Sequence, residues 1–242
     1  MTLVFFISII AGCLDENSEK EQLELIIDYD DLKATVGKTY DSGNLVNTEV
    51  AVIEFEFNRS KSANRITTFG IDSTDPNVVV VNDSNSASLF ELQFEYHGVY
   101  NVEPYMIDAN GNKKSTILTI KIGLKVDWYE NTTSNPSPMV IDSRPENNAS
   151  YPKYMKIESN VENPRDLTEI GGGQSVQFLW SITDEYGDTC QTKNDDVGDG
   201  ETATWETIYF NTLLTHDLNV EYEEGQDYLD IHHHVTLFYD EQ

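Results

Sequence analysis

The sequence predicts an all-β protein of two tandem antiparallel β-sandwich domains, the second either immunoglobulin-like or jelly-roll-like. Three observations carry this expectation. The stretch Phe90 to Ile122 alternates apolar and polar residues through three strands and two turns. The 242 residues suffice for two sandwiches of ~100 residues each. Aromatic residues, enriched in strands, reach 11% with 13 Tyr and 10 Phe, enough to furnish strand cores although the hydrophobic fraction is only 38%.

Within Phe90 to Ile122, Phe90, Leu92, Phe94 and Tyr96 point one way and Glu91, Gln93 and Glu95 the other. His97-Gly98 makes a corner, and Tyr100, Val102 and Met106 share the face of the next strand. Asp108-Ala109-Asn110-Gly111-Asn112 supplies an Asn-Gly hairpin turn, and Leu118, Ile120 and Ile122 return on the third strand. The spacing Tyr96-x-Gly98-x-Tyr100-x-Val102, followed by Asp108-x-x-Gly111-Asn112, resembles the closing half of a PKD-type, immunoglobulin-like domain. The resemblance spans residues 50–122. It implies that a tyrosine at the corner, Tyr100, ties its strand to the backbone. Of that family's Trp-Asp-Phe-Gly-Asp-Gly signature only Phe69 and Asp72 are echoed.

The N-terminal twelve residues carry no charge, and Leu3 to Ile10 form an apolar run of signal-peptide length, too short to span a bilayer. Ile10-Ala11-Gly12-Cys13 resembles the lipobox of a bacterial or archaeal lipoprotein, which implies lipidation at Cys13. No Lys or Arg precedes the apolar run. The expected organisation is a signal peptide over 1–12 and an acidic tether over 13–22 after the lipidated cysteine. A PKD/Ig-like sandwich over 23–123 and a second sandwich over 124–242 follow. Such a protein sits at the cell surface, with the membrane as its partner through the N-terminal lipid.

In the first domain Ile53, Phe55 and Phe57 alternate with Glu54 and Glu56, a polar loop runs from Asn58 to Arg65, and Val78 to Val81 reads as a buried strand. Pro104 marks its strand as an edge or bulged there. Between Gly123 and Pro152 the composition shifts to Asn, Ser, Thr and Pro, the expected seam and first loops of the second domain. Strands resume with Met155, Ile157 and Val161, then Val176, Phe178, Trp180 and Ile182. Gly171-Gly172-Gly173 precedes a strand and lacks the lysine of a phosphate loop. Asp184-Glu185-Tyr186-Gly187 repeats the Asp-x-x-Gly turn of Asp108 to Gly111, an internal echo favouring a second sandwich. Trp205 to Leu213 fits a strand or a short helix and is taken as a strand. Leu218, Val220 and Tyr222, and finally Leu229 to Tyr239, complete the set.

A formal charge of -28, from 43 acidic against 15 basic residues, repels phosphate backbones and excludes nucleic acid as a partner. The same field attracts cations and suits a protein kept soluble in high salt. With Cys13 lipidated, Cys190 is alone. Its acidic neighbourhood raises a thiol pKa, which disfavours a nucleophilic role.

Two metal-ligating patterns stand out. On the last strand His233 shares the face of Leu229, Ile231, Val235 and Leu237, while Asp230, His232 and His234 point outward, a spacing suited to Zn²⁺ or Cu²⁺. Asp196, Asp199 and Glu201 crowd oxygen ligands into one turn as Ca²⁺ sites do, without EF-hand spacing. Asp108 to Asn112 resembles the start of such a loop. A solvated hairpin is the competing reading of both. Asn58, Asn82, Asn131 and Asn148 head glycosylation sequons and fall where loops are expected. No Gly-x-Ser-x-Gly elbow, His-Glu-x-x-His or phosphate loop is present, so no catalytic residue is assigned. The function expected is a lipid-anchored surface binding or adhesion module without catalytic activity, its partner an extracellular protein or glycan. The alternative is a carbohydrate-binding module or an accessory domain of a secreted hydrolase. Exposed Tyr or Trp in a row on one sheet would favour sugar, and a concave pocket with convergent carboxylates would favour hydrolysis.

Overall fold

The computed structural model describes residues 23–81, 88–165, 174–224 and 228–240, and these are all-β. The predicted signal peptide, Cys13, the tether, Asn82 and the triple glycine lie outside the described residues. In chain order the strands are β1 (Lys33–Asp41), β2 (Asn44–Glu49), β3 (Ala51–Glu56), β4 (Ile66–Ser73), β5 (Val78–Val81), β6 (Leu89–Phe94), β7 (Gly98–Asp108) and β8 (Lys113–Ser115). There follow β9 (Leu118–Thr133), β10 (Met139–Ile141), β11 (Tyr154–Glu162), β12 (Val176–Asp184), β13 (Thr189–Val197), β14 (Thr202–Tyr209), β15 (His216–Glu224) and β16 (Leu229–Phe238).

One nine-stranded sheet has the path β14-β11-β16-β9-β1-β2, with β4, β7 and β8 attached where β7 pairs with β9. Two smaller sheets, β3-β6-β5 and β10-β15-β12-β13, cover one of its faces. The first is seated by Phe94 against Tyr100, ring centroids 4.9 Å apart. The second is seated by Trp180 against Trp205 at 6.0 Å and by the Trp180 indole N–H donating to Ser159 Oγ at 2.7 Å. Buried side chains from all three sheets form one hydrophobic cluster. The ladders are antiparallel except β1 with β9, which is parallel.

β9 organises the whole. Ile120, Ile122, Leu124, Val126 and Trp128 are buried on one side while Lys121, Gly123, Lys125, Asp127 and Tyr129 face the other, an alternation unbroken across the expected boundary at 123/124. Residues 118–122 pair with β7 and residues 124–133 with β16 along one edge, while β1 runs along the other edge from Lys121 to Tyr129. The seam read from composition is therefore partly strand: Asn131 lies on β9, not in a loop.

Local chemistry explains the turns. At His97-Gly98 the chain passes from the three-stranded sheet to the nine-stranded one. Tyr100, buried in the core, donates its hydroxyl to the Tyr96 carbonyl at 2.7 Å, the corner tie that the resemblance implied. His97 is buried beside it with Nδ1 2.7 Å from the Tyr239 hydroxyl, and burial pushes its pKa down to about 4, with the charge of Lys38 adding to the effect. The two Asp-x-x-Gly turns are the same device. Gly111 N–H donates to the Asp108 carbonyl at 3.0 Å and Gly187 N–H to the Asp184 carbonyl at 2.9 Å. Both glycines adopt left-handed φ values, 83° and 84°. In each turn the aspartate Oδ1 accepts the amides two and four residues on. Pro104 pairs with Ile71 in the β4–β7 ladder, so its strand is interior and regular there rather than an edge or bulged; on the other side the pairing of β7 passes from β9 to β8 around it, which leaves room for its missing N–H. Val78 to Val81 is an edge strand of the small sheet rather than a buried one, with Val79 47% exposed.

Candidate functional site

The outer face of the nine-stranded sheet has no covering layer among the described residues, and β16 runs through its middle. Its alternation puts His233 inward and Asp230, His232, His234, Thr236 and Phe238 outward. His233 is buried with Nδ1 2.8 Å from Ser159 Oγ, and complete desolvation pushes its pKa down to about 3. It belongs to the core, as its place in the sequence pattern suggests.

The outward histidines meet a residue 105 positions earlier. Asp127, on β9 directly opposite His234, accepts from His234 Nδ1 at 2.8 Å and from His232 Nε2 at 3.4 Å, and Lys125 Nζ lies 3.3 Å from its other oxygen. Burial raises the pKa of this carboxyl, but the bonds from His234, His232 and Lys125 outweigh that and hold it below the usual carboxylate range. An ionised carboxylate only accepts, so His234 carries its proton on Nδ1. Its Nε2 lies 3.2 Å from the Thr236 hydroxyl. His232 is packed face to face with Tyr129, centroids 4.3 Å apart and planes 13° apart. Tyr129 remains 37% exposed.

This stacked pair walls a shallow depression of about 200 Å³ whose rim is Asn131, Asn160, Glu162, Thr202 and Asp230. Register explains the grouping: Tyr129, His232 and Asn160 are cross-strand neighbours on β9, β16 and β11, and Asp230 pairs with Glu162. Asn160 is held by the Thr204 hydroxyl, which donates to its Oδ1 at 2.6 Å. Amide, carboxylate, hydroxyl and aromatic groups therefore converge from four adjacent strands on one ring-sized hollow. This is the composition of a polar small-ligand site, smaller than a drug-sized pocket.

The predicted metal sets are not brought together. Asp230 Oδ1 accepts the Thr132 amide at 2.6 Å, and Asp127 takes its place beside the histidines. Asp196 is exposed on β13, whereas Asp199 and Glu201 lie in the turn beyond Val197. That turn is pinned by Asn163, whose carbonyl accepts from Gly200 N–H at 2.8 Å and whose amide donates to the Glu201 carbonyl at 3.0 Å. The Asp108 carboxylate is ringed by donors from Asn64, Asn110 and Asn112, where a cation would need oxygens. Among the described residues no group of three or more His, Cys, Asp or Glu side chains is placed to hold a metal ion. Of the sequon asparagines, Asn58, Asn131 and Asn148 are exposed.

A larger concavity, about 670 Å³, lies beside β3 and contains Asp28, Tyr29, Asp30, Asp31, Glu54 and Glu56. Acid-catalysed hydrolysis needs one carboxyl kept protonated by burial. Here Asp30, Asp31, Glu54 and Glu56 are exposed, and Asp28 is paired with the Arg59 guanidinium, which lowers its pKa. Convergent carboxylates are thus present without the desolvated acid.

No protein-family model matches the sequence, and no curated protein matches it. Among solved structures the chain is similar to a carbohydrate-binding module of the β-sandwich superfamily studied for promiscuous specificity. The identity is 10% and the TM-score 0.33, over 90% of this chain and 98% of that one. It is also similar to tripeptidyl peptidase 2, at 11% identity and TM-score 0.31 over 89% and 20% of the two chains. A third similarity is to the second family-51 carbohydrate-binding module, in complex with GlcNAc, and INT domains of ZmpB from Clostridium perfringens, at 11% and 0.26 over 88% and 48%. At such scores what the site does is read from its own side chains.

Proposed function

We propose that this protein is a non-catalytic carbohydrate-binding module whose site is the hollow beside Tyr129 and His232. The observation that carries the proposal is the stacked Tyr129–His232 pair opening on a depression rimmed by Asn160, Glu162, Thr202 and Asp230. A sugar ring offers apolar C–H faces and a belt of hydroxyls. An aromatic wall meets the first, and amide, carboxylate and hydroxyl groups meet the second. Both kinds of group are already fixed, Asn160 by Thr204 and His232 by Asp127 and Tyr129, so little side-chain freedom is lost on binding. The solvated state of the acidic cleft beside β3 favours binding over hydrolysis.

In this reading the chain is two sandwiches, 23–123 and 124–242, sharing β9. The immunoglobulin-like, PKD-type assignment of the first is supported by the Tyr100 to Tyr96 tie. Export and lipidation at Cys13 would present the module at the cell surface, where adhesion to glycans or glycoproteins is its use. A glycan array probed with wild type and Tyr129→Ala tests the site. Binding by the wild type and its loss in the variant is the expected result, and binding unaffected by Tyr129→Ala overturns it. Cys13→Ser should release the protein from the membrane fraction, and retention of the variant there would refute the anchor.

A further inference from the structure

The hollow at Tyr129 is one of two on the same face, strung along the same strand. The second, about 300 Å³, lies over Gly123 and is bounded by Thr35, Thr236, Phe238, Lys33, Lys121 and Asp240. It exists because residue 123 has no side chain: a Cβ there would stand 3.0 Å from the Leu237 carbonyl oxygen and 3.4 Å from Thr35 Oγ1. Its aromatic wall is Phe238, which is backed by Tyr154 of β11, with centroids 4.8 Å apart and planes 15° apart. Lys33 and Lys121 share the Asp240 carboxylate at 2.8 and 2.5 Å, so two ammonium donors are held at that end.

His232 and Phe238 are six residues apart on β16, which is ~20 Å at ~3.3 Å per strand residue. The ground between them is polar, with His234 flanked by Asp127 and Glu158, then Thr236 flanked by Lys125 and Lys156 from the adjoining strands. Two aromatic-walled hollows joined by hydrogen-bonding groups along a straight strand match a chain with a repeated ring.

We infer that the ligand is a linear, uncharged, β-linked oligosaccharide lying along β16, one ring against Tyr129–His232 and another against Tyr154–Phe238. This rests on the carbohydrate-binding reading. The β-linkage follows because such chains extend as ribbons, whereas coiling chains leave a flat face after one or two rings. The absence of charge follows because the charges along the track offset one another, Lys33, Lys121, Lys125 and Lys156 against Asp127, Glu158, Glu162, Asp230 and Asp240, while the net charge of -28 over the whole disfavours a polyanion.

The test is calorimetry of the whole protein with cello-, manno- and xylo-oligosaccharides of two, four and six residues, and with hexagalacturonate. The hexasaccharide of at least one neutral series should bind about tenfold or more tighter than its disaccharide. Phe238→Ala, which removes the wall of the second hollow, should erase that gain, and Tyr129→Ala should abolish binding at every length. Gly123→Val should act like Phe238→Ala, and the Phe238 variant keeps the test decisive should the valine disturb folding. Equal affinity for two and six residues, or a chain-length gain that survives Phe238→Ala, overturns the extended site and leaves the hollow at Tyr129 standing. Tighter binding of hexagalacturonate than of the neutral chains overturns the uncharged ligand. No binding of any oligosaccharide here or on the glycan array overturns both the extended site and the carbohydrate reading.

Discussion

His233 and its neighbours His232 and His234 differ only in the side of β16 they occupy, yet their surroundings share almost nothing. His233 is locked between Ser159 and the core, has lost its solvent, and stays neutral well below the ordinary pKa of histidine. His232 and His234 share one carboxylate on the uncovered face, and His232 stands at the edge of the hollow. Alternation assigns identical residues to opposite environments, and the environments rather than the residue type decide the role. Inward groups should therefore govern stability and outward groups binding, a division open to four measurements.

The largest effect should come from Tyr100, which is buried and fixes the corner between two sheets. Tyr100→Ala should cost about 3–5 kcal/mol, comparable with the margin of a small domain. Tyr100→Phe keeps the ring against Phe94 and should cost only about 1 kcal/mol, the hydroxyl's bond to Tyr96. Urea midpoints measure both. An unchanged midpoint for Tyr100→Ala would mean that the corner is not an inward support.

Acid should expose the second effect. His233 and His97 have folded pKa values of about 3 and about 4, below the unfolded value near 6.5. Between those limits the unfolded chain binds more protons than the folded one. Their contribution is complete above pH 6.5 and is withdrawn as pH falls, by about 2 kcal/mol for each histidine at pH 5. In His233→Leu the fall in denaturation midpoint between pH 7 and pH 5 should shrink by about half of the histidine part. A variant with the wild-type pH slope would contradict the neutral buried ring.

The paired hairpins repeat the contrast in miniature. Asp108 is buried and receives side chains of Asn64 and Asn112 besides two amides, whereas the two amides of Tyr186 and Asp188 on Asp184 are exposed. Asp108→Ala strands part-buried donors around a buried position and should cost about 1–3 kcal/mol. Asp184→Ala should cost less than about 1 kcal/mol, because water replaces the carboxylate. Equal losses in thermal denaturation would show that the turn alone, not its burial, sets the cost.

Much of this was legible because it is local. Strand alternation placed His233 inside and its neighbours outside, the PKD-like spacing implied Tyr100 for the corner, and the Asp-x-x-Gly spacing matched the Asp108 and Asp184 turns. What escaped depends on register between distant segments. Nothing near β16 in the chain announces that Asp127 rather than Asp230 will hold its histidines, since the choice is made by the β9–β16 ladder. The change of composition after Gly123 hid a strand whose apolar alternation was present all along: Ile122, Leu124, Val126 and Trp128 continue the pattern through a residue with no side chain. The parallel run of β1 beside β9 joins residues some 88 positions apart, as Lys33 with Lys121, and left no mark in either segment. Val78 to Val81 reads as buried by composition, but an edge position exposes Val79 to solvent, and composition does not report which strand of a sheet is outermost.

The smallest expected change in stability belongs to the outer face, and there a near-zero result is the informative one. Tyr129 packs on His232, and the pair lies on the side of the sheet that no other layer covers among the described residues. Truncating either ring removes surface area that is already partly hydrated, so Tyr129→Ala and His232→Ala should move the denaturation midpoint by no more than about 0.5 kcal/mol. Asp127→Asn probes the same face from below. It keeps the shape of the carboxylate but weakens the charge-assisted bonds from His234 and His232, so His232 should lose its fixed orientation. If the outer groups serve binding, glycan affinity falls in all three variants while the melting curves superimpose on wild type. If Tyr129→Ala or His232→Ala instead lowers the midpoint by several kcal/mol, the stacked pair is part of the support of the sheet, and the division between an inward face for stability and an outward face for binding fails at its most exposed point.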